Sequence, residues 1–136
     1  MAGKDIKKLQ EFLSEAGAYF LATMDGDQPR VRPFGTALLF EDKIYMLTAK
    51  GKAVSKQLAE NPKFEIAAMD KTGRWVRVSG VLVEDNRVEV QEALLEAYPN
   101  LKAMYKAGDA NTHALYLSDV KAVIYSFTGE PEVLDI

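Results

Sequence analysis

A recurrence of apolar residues every three or four positions predicts three helices. The first covers Ile6–Ala16 and is expected to end at Gly17, because glycine readily adopts the left-handed backbone that closes a helix. The second ends before Pro62, which cannot continue a helix. The third spans Asp85–Tyr98, with Asp85 as its expected N-cap.

Shorter segments rich in β-branched and aromatic residues predict six or seven strands, most of them joined by hairpins. Asp25-Gly26-Asp27 is a hairpin signal after the first strand, Tyr19–Met24. The second strand, Gln28–Phe40, contains Pro33 and Gly35, so a bulge or bend is expected inside it. The remaining strands are predicted at Ile44–Thr48, Phe64–Met69, Trp75–Val83, Ala114–Leu117 and Ala122–Phe127, the last two joined by Ser118-Asp119. This pattern predicts a small antiparallel β-barrel flanked by helices.

Length and composition narrow the class of protein. A chain of 136 residues, 48% of them hydrophobic, is long enough for one domain with its own core, so residues 1–136 are interpreted as a single domain. The net charge of −3 argues against nonspecific binding of nucleic acid, which needs a broad basic surface. The absence of cysteine excludes disulfides, zinc–thiolate sites and thiol catalysis. No segment has the length and apolarity of a signal peptide or a membrane span, so a cytoplasmic protein without membrane partners is expected.

Two short basic elements stand out against this acidic background and suggest a small anionic ligand. Arg30 and Arg32 lie two residues apart on the second predicted strand, and therefore on one face. Thr48, Lys50 and Lys52 lie between the third strand and the second helix, whose start has no obvious capping side chain. Each element alone is equally well explained as solvated or paired surface charge. Together they favour a phosphate, which arginine, lysine and free helix amides bind well.

The remaining candidates for chemistry are few. Ser55 and the other serines lack a base that the sequence places nearby, so hydrolase chemistry is not expected. His113 is the single histidine, which argues against a metal site. We expect His113 at a strand edge or on the surface, with an axial ligand or a proton donor as the alternative roles. Trp75 is interpreted either as packing or as a surface on which a flat ring stacks.

Four segments together resemble the pyridoxamine 5′-phosphate oxidase-like, FMN-binding split-barrel family. They are FLATMDGDQPRVRPFG, IYMLTAKGKAVSKQLAENPKFEIAAMD, GRWVRVSGVLVED and ALYLSDVKAVIYSFTGEP, and they cover nearly the whole chain. The chain is most similar to the short, single-domain members that are compared with nitroimidazole-resistance proteins. The resemblance implies a mainly β fold, a six-stranded antiparallel split β-barrel with flanking helices. It also implies a homodimer that holds FMN in two clefts at its interface.

The same resemblance implies which residues contact the cofactor. Arg30, Arg32 and Thr48 match contacts to the flavin or its phosphate, and Lys50, Lys52 and Ser55 match the basic segment that holds the phosphate. The full set of cofactor-binding residues is Arg30, Arg32, Pro33, Thr48, Lys50, Lys52, Ser55 and Trp75. Ala53-Val54 occupy the place of an adjacent Arg-Lys in the best-known pattern, which leaves open which lysine binds the phosphate.

For function, the resemblance implies a flavin-dependent oxidoreductase that acts on a small molecule, with NAD(P)H as a candidate electron donor. The alternatives are a flavin-binding or redox-sensing module without its own substrate, and a haem-binding protein of the same fold. Deazaflavin is an alternative cofactor. Pyridoxamine phosphate oxidase activity is not expected, because the acidic segment GEPEVLDI offers no basic cluster for a second phosphate.

Overall fold

The computed structural model describes residues 2–136 as eight antiparallel strands, three α-helices and one short 3₁₀ helix. The strands are β1 (Tyr19–Asp25), β2 (Gln28–Phe34), β3 (Leu38–Phe40), β4 (Lys43–Ala49), β5 (Lys63–Met69), β6 (Trp75–Glu84), β7 (Thr112–Tyr125) and β8 (Glu132–Val133). The helices are α1 (Ile6–Glu15), α2 (Ala53–Glu60) and α3 (Val88–Ala97), and the 3₁₀ helix is Pro99–Ala103. The mainly β class with flanking helices is confirmed, whereas the sheet has eight strands and not the predicted six.

The order of the strands explains why the barrel is split. Hydrogen-bonded neighbours follow the order β2-β1-β5-β6-β7-β4-β3, with β8 added to β7. Although β2 and β3 are consecutive in the chain, they lie at opposite ends of this order, and residues 35–37, the crossing segment, connect them. The predicted strand Gln28–Phe40 is therefore two strands, and the expected interruption near Gly35 is confirmed. Pro33 has no amide to donate and Gly35 has no side chain to pack, which favours this break.

Apolar side chains form two clusters on opposite sides of the sheet. The inner cluster fills the barrel with residues such as Leu21 and Ile66, and the apolar faces of α1 and α2 pack into it. The outer cluster lies between the sheet and α3, where Leu94 is fully buried. Successive residues of a strand face opposite sides, so β4 contributes Met46 to the inner cluster and Leu47 to the outer one. Strand β4 thus joins the barrel to the helix that covers it.

The last two predicted strands are one strand, and the turn predicted at Ser118-Asp119 is wrong. Strand β7 runs without interruption from Thr112 to Tyr125. Its pairing with β6 changes register at this point, because two residues of β7, Asp119 and Val120, lie opposite one residue of β6, Gly80. Asp119 has a φ of 51°, which places the extra residue in a β-bulge. The bulge bends the strand without ending it, and this lets β7 pair with β6, β4 and β8.

The third helix begins later than predicted, because its expected cap has other partners. Helix α3 starts at Val88, and its N-cap residue, Arg87, makes no side-chain capping bond. The Asp85 carboxylate accepts hydrogen bonds from the Arg87 guanidinium (2.9 Å) and from the Tyr45 hydroxyl (2.7 Å). The bonds from Arg87, above all, lower the pKa of Asp85 to about 2. The capping role predicted for Asp85 is therefore wrong, and the residue instead joins the start of α3 to β4.

Gly80 lies opposite the bulge, and we predict that even a methyl group at this position destabilises the barrel. A Cβ atom on Gly80 would lie 2.4 Å from the Ser118 carbonyl oxygen and 3.1 Å from that of Asp119. Since backbone cannot yield as a flexible side chain does, we expect Gly80→Ala to lower the free energy of unfolding by about 1–3 kcal/mol. Gly35→Ala is the matched control, because its nearest neighbour would be an oxygen at an ordinary 3.7 Å. Equal urea midpoints for the two variants would contradict this prediction.

Candidate functional site

The crossing segment is held by hydrogen bonds to three other elements. The Thr36 carbonyl accepts a hydrogen bond from the Tyr19 hydroxyl (2.6 Å), and Thr36 Oγ1 accepts one from the Leu47 amide (3.0 Å). The Ala37 amide donates to the Tyr98 hydroxyl (2.9 Å), which donates in turn to the Ala37 carbonyl (3.2 Å). Because Tyr98 directly follows α3, these bonds fix β1, β4 and the end of α3 around one point.

A cleft of about 510 Å³ opens beside the crossing segment, between the end of β2, the start of α2 and the segment after α3. Its walls are mostly apolar and include Pro33, Leu47 and Met104. Two cations, Arg32 and Lys52, contribute to the lining, and no residue of the lining is Asp or Glu. This combination fits a ligand that has an apolar body and an anionic group.

Arg32 enters the cleft as a half-buried cation without a carboxylate partner in the described chain. Its guanidinium donates to Thr23 Oγ1 (2.7 Å), Gln57 Oε1 (2.7 Å) and, more weakly, the Leu21 carbonyl (3.3 Å). Burial lowers the pKa of Arg32, yet a guanidinium stays charged at neutral pH. The neutral partners orient the side chain but leave its charge without a counter-ion, so an anion in the cleft would be attracted to it.

The turn between β4 and α2, residues 49–52, is called the lysine turn below, and it places Lys52 at the cleft. Its amides at positions 50 and 51 donate to the carbonyl (2.7 Å) and the side chain (3.2 Å) of Asn111. Helix α2 begins at Ala53, and its N-cap residue Lys52 makes no side-chain capping bond, as predicted. No described residue accepts a hydrogen bond from the amides of Ala53 and Val54. The start of α2 therefore offers two free donors next to a lysine, which suits an anion.

Arg32, Pro33 and Lys52 are the predicted cofactor residues that the structure brings together in the cleft. Arg30, by contrast, is exposed and forms an ion pair with Asp25, with 3.2 Å between Nε and Oδ2. It therefore does not form a fork with Arg32.

Trp75 is also remote from this cleft. It stacks on Tyr125 with ring centroids 5.7 Å apart and packs against Phe127 with centroids 4.9 Å apart. Its indole lines a separate apolar depression. Lys50 is exposed on the lysine turn and does not line the cleft. Binding of a cofactor by any of these residues stays a prediction.

Thr48, Ser55 and His113 lie together in a buried polar cluster on the inner side of the lysine turn. Thr48 and His113 are direct partners across β4 and β7, and Thr48 Oγ1 makes no hydrogen bond to a described residue. His113 is buried between two strands, so the predicted strand-edge or surface position is wrong. Its Nδ1 lies 2.7 Å from Ser55 Oγ, so the prediction that Ser55 has no base nearby is also wrong. These two residues are 58 positions apart in the chain, and their contact depends on the folding of β7 beside β4.

Three residues that shape the site were not singled out by the sequence. Gln57 orients Arg32, Glu84 lies 2.6 Å from His113 Nε2, and Tyr98 closes the cleft from α3. Gln57 and Glu84 read as ordinary polar positions of a helix and a strand, and no pattern marks them. For Tyr98 the only signal was an aromatic residue at the end of a predicted helix.

The described residues also limit other kinds of site. Residues 2–136 contain no group of three or more His, Cys, Asp or Glu side chains placed to hold a metal ion. None of the described helices has the length and apolarity needed to cross a membrane.

Comparison with known proteins identifies close relatives of this chain. A family model described as pyridoxamine 5′-phosphate oxidase matches residues 6–122. A solved structure of a NimC/NimA family protein from Clostridium acetobutylicum is 44% identical, with a TM-score of 0.94 over 98% of this chain and 93% of that one. No curated protein matches the chain.

Two more distant structures share the fold. A heme binding protein from Mycobacterium smegmatis is 14% identical, with a TM-score of 0.76 over 99% of this chain and 59% of that one. A pyridoxamine 5′-phosphate oxidase-related, FMN binding protein from Nostoc punctiforme is 14% identical, with a TM-score of 0.68 over 100% of both chains. Because the family model spans residues 6–122 and the Clostridium protein is 44% identical, this chain belongs to the pyridoxamine 5′-phosphate oxidase family.

Proposed function

We propose that this protein binds FMN and acts as a flavin-dependent oxidoreductase on a small molecule. The observation that carries the proposal is the cleft in which Arg32 and Lys52 lie among apolar walls with no acidic residue in the lining. FMN has the matching chemistry, a flat ring joined to a dianionic phosphate. Membership of the family supports the proposal, and a protein of the same fold from Nostoc punctiforme is described as FMN-binding.

The residues of the cleft divide into two groups by what they offer a ligand. Lys52, the Arg32 guanidinium and the free amides at the start of α2 are the groups that would hold the phosphate. Pro33, Leu47 and Met104 provide apolar surface for a ring and exclude water. Bound FMN supplies hydride or electron transfer, so the protein needs no acid or base of its own for the redox step. The Tyr98 hydroxyl is consistent with the absence of a protein acid or base, because it already forms hydrogen bonds with the amide and the carbonyl of Ala37.

A flavin-binding module without a substrate is the main alternative, and the two functions differ in turnover. The absorption spectrum of the purified protein, with FMN added if needed, tests binding. NAD(P)H oxidation by the FMN-loaded protein, with and without a nitroaromatic or quinone acceptor, then tests catalysis. Turnover that depends on the acceptor supports an oxidoreductase, whereas binding without turnover supports the module.

Haem binding is less well supported by the geometry. His113 is the only histidine, and its two ring nitrogens lie 2.7 Å from Ser55 Oγ and 2.6 Å from Glu84 Oε2. The residue does not line the cleft. A histidine axial ligand would need a free imidazole nitrogen at the pocket, which this arrangement does not offer.

We predict that the phosphate contributes much of the affinity for FMN. Removal of one charged hydrogen-bond partner costs roughly 1.5–3 kcal/mol, which corresponds to about ten- to a hundredfold in affinity. Arg32→Ala and Lys52→Ala should therefore weaken FMN far more than riboflavin, which has no phosphate, in fluorescence titrations. Lys56→Ala is the matched control, because Lys56 is exposed on α2 outside the cleft lining. Equal losses for FMN and riboflavin would place both cations away from the phosphate.

We also predict that the protein does not turn over pyridoxamine 5′-phosphate. That reaction requires a second phosphate site beside FMN, but the cleft lining contains only two cations, Arg32 and Lys52. Oxygen-dependent formation of pyridoxal phosphate by the FMN-loaded protein is the measurement. Turnover at about 1 per second or faster, an ordinary enzyme rate, would contradict the prediction.

We further predict that the protein is a homodimer. The outer face of the β2-β1-β5-β6 sheet exposes Phe20, Val31 and Met69, and Phe127 beside it is 84% exposed. Phe20, Met69, Trp75 and Phe127 line an apolar depression of about 370 Å³ on this face. A second copy related by twofold symmetry would cover it with the same surface.

Light scattering at micromolar concentration should therefore show a dimer, and Val31→Glu should dissociate it. The control is Val88→Glu, which adds the same charge at a 42% exposed position at the start of α3, a helix that packs on β3, β4 and β7 and not on this face. A monomeric wild-type protein with FMN bound would refute the homodimer.

A further inference from the structure

Ser55, His113 and Glu84 form a buried polar row behind the lysine turn. His113 is only 6% exposed, with Nδ1 2.7 Å from Ser55 Oγ and Nε2 2.6 Å from Glu84 Oε2. The second contact is an ion-pair distance whose angle is too bent for a well-directed hydrogen bond. The function proposed above makes no use of this row, since none of the three side chains lines the cleft.

The number of protons in the row decides which of its contacts can form together. Ser55 Oγ lies 2.8 Å from the Ala49 carbonyl, and only the hydroxyl can donate in that bond. If Ser55 donates to Ala49, then His113 must donate to Ser55 from Nδ1. A neutral imidazole then has no proton on Nε2. Nε2 and the Glu84 carboxylate oxygen would then be two acceptors in contact. All three contacts are favourable together only when the row holds one more proton, as in an imidazolium beside the Glu84 carboxylate.

The proton on His113 therefore affects how the lysine turn is held. The Ala49 carbonyl accepts hydrogen bonds from the Ser55 hydroxyl and from the Lys52 amide (3.1 Å), and Lys52 in turn accepts one from the Ser55 amide (3.1 Å). A neutral imidazole leaves two alternatives. Either Ser55 donates to Nδ1 and releases the Ala49 carbonyl, or Nδ1 keeps the proton and Glu84 loses its partner and turns to water. Either change loosens the backbone that places Lys52 at the cleft.

We propose that His113 is a positioning residue for the lysine turn, and that its protonation strengthens anion binding at the start of α2. The proposal rests on the function proposed above in one respect, which is that this turn is the phosphate site. The charged form completes the bonds from Ser55 to Ala49 and adds a positive charge behind the two lysines. By linkage, an anion bound at the turn makes His113 easier to protonate to the same extent.

The groups packed around His113 determine where it titrates. Glu84 from β6 favours the charged imidazole, whereas burial and Lys50 from the turn oppose it, and Ser55 from α2 and Thr48 from β4 are neutral. Burial is the largest of these effects and lowers the pKa of His113 from its ordinary value. The protonated form therefore gains population only as the pH falls below about 6.5, the ordinary value for histidine.

The test is FMN affinity from pH 5 to pH 8 for the wild-type protein, His113→Gln and Glu84→Gln, with Glu132→Gln as a matched control. Glu132 is another strand carboxylate, and it pairs with Lys8 of α1 away from the cleft. The FMN phosphate also titrates in this range, but its contribution cancels in the ratio of wild-type to variant affinity. We expect the ratio of wild-type to His113→Gln affinity for FMN to rise about fivefold or more from pH 8 to pH 5. This is a common size for the coupling between two binding events. The rise for Glu84→Gln should occur over a different pH range, since that change shifts the titration of His113. Glu132→Gln should follow the wild type.

A ratio for His113→Gln that stays constant with pH would overturn the proposal. The imidazole and amide NMR signals of the wild-type protein provide a second test that needs neither a variant nor FMN. The amides of Lys50 and Lys52 should shift with the same midpoint as the His113 ring. If FMN does not bind at any pH while these amides follow His113, the phosphate site is wrong but the positioning role stands. If the amides do not follow the ring, the positioning role is wrong.

Discussion

The crossing segment between β2 and β3 holds the barrel and its helices together. Three residues must carry the chain from one end of the strand order to the other, and they have no ladder partner there. A buried amide or carbonyl without a partner costs about as much as a lost hydrogen bond, roughly 1–3 kcal/mol each. The chain meets this cost with side chains: Tyr19 and Tyr98 supply hydroxyls, and Gln10 of α1 donates to the Ala37 carbonyl (2.7 Å). The barrel, α1 and α3 are therefore fixed to one another at the wall of the cleft.

The two arginines of β2 show how position alone gives the same side chain different properties. Arg30 is exposed and is neutralised by Asp25, a pair that solvent and salt make weak. Arg32, two residues later, is half-buried among neutral acceptors, so its charge is less screened and has no counter-ion. The sequence places both on one face, and only the packing of α2 against β1 and β2 distinguishes them. An electrostatic argument from spacing therefore could not distinguish the two residues.

Local signals predicted those parts of the fold that depend on neighbours in sequence. Gly17 ends α1 with a φ of 81°, and Gly26 forms the hairpin between β1 and β2 with a φ of 62°. The errors arose where distant residues compete for a group. Asp85 reads as a helix cap, but Arg87 and Tyr45 occupy its carboxylate, and Ser118-Asp119 reads as a turn, but pairing with β6 continues across it. The same holds in the site: Lys52 and Arg32 were visible as charges, whereas the contact of Ser55 with His113 required the tertiary structure.

The bulged strand β7 also has a consequence for the order in which this chain folds during synthesis. The β3–β4 hairpin pairs with no strand other than β7, and β7 is the last of the long strands to be made. Strand β6 also pairs with β7 on its second edge. A ribosome that has released β1, β2, β5 and β6 therefore presents an open sheet, and the β3–β4 hairpin remains unpaired at its other edge until residues 112–125 emerge. Closing pairs so distant in sequence is slow, and exposed strand edges associate readily with other chains. The interval before β7 emerges is thus the stage of synthesis at which this barrel is most exposed to aggregation.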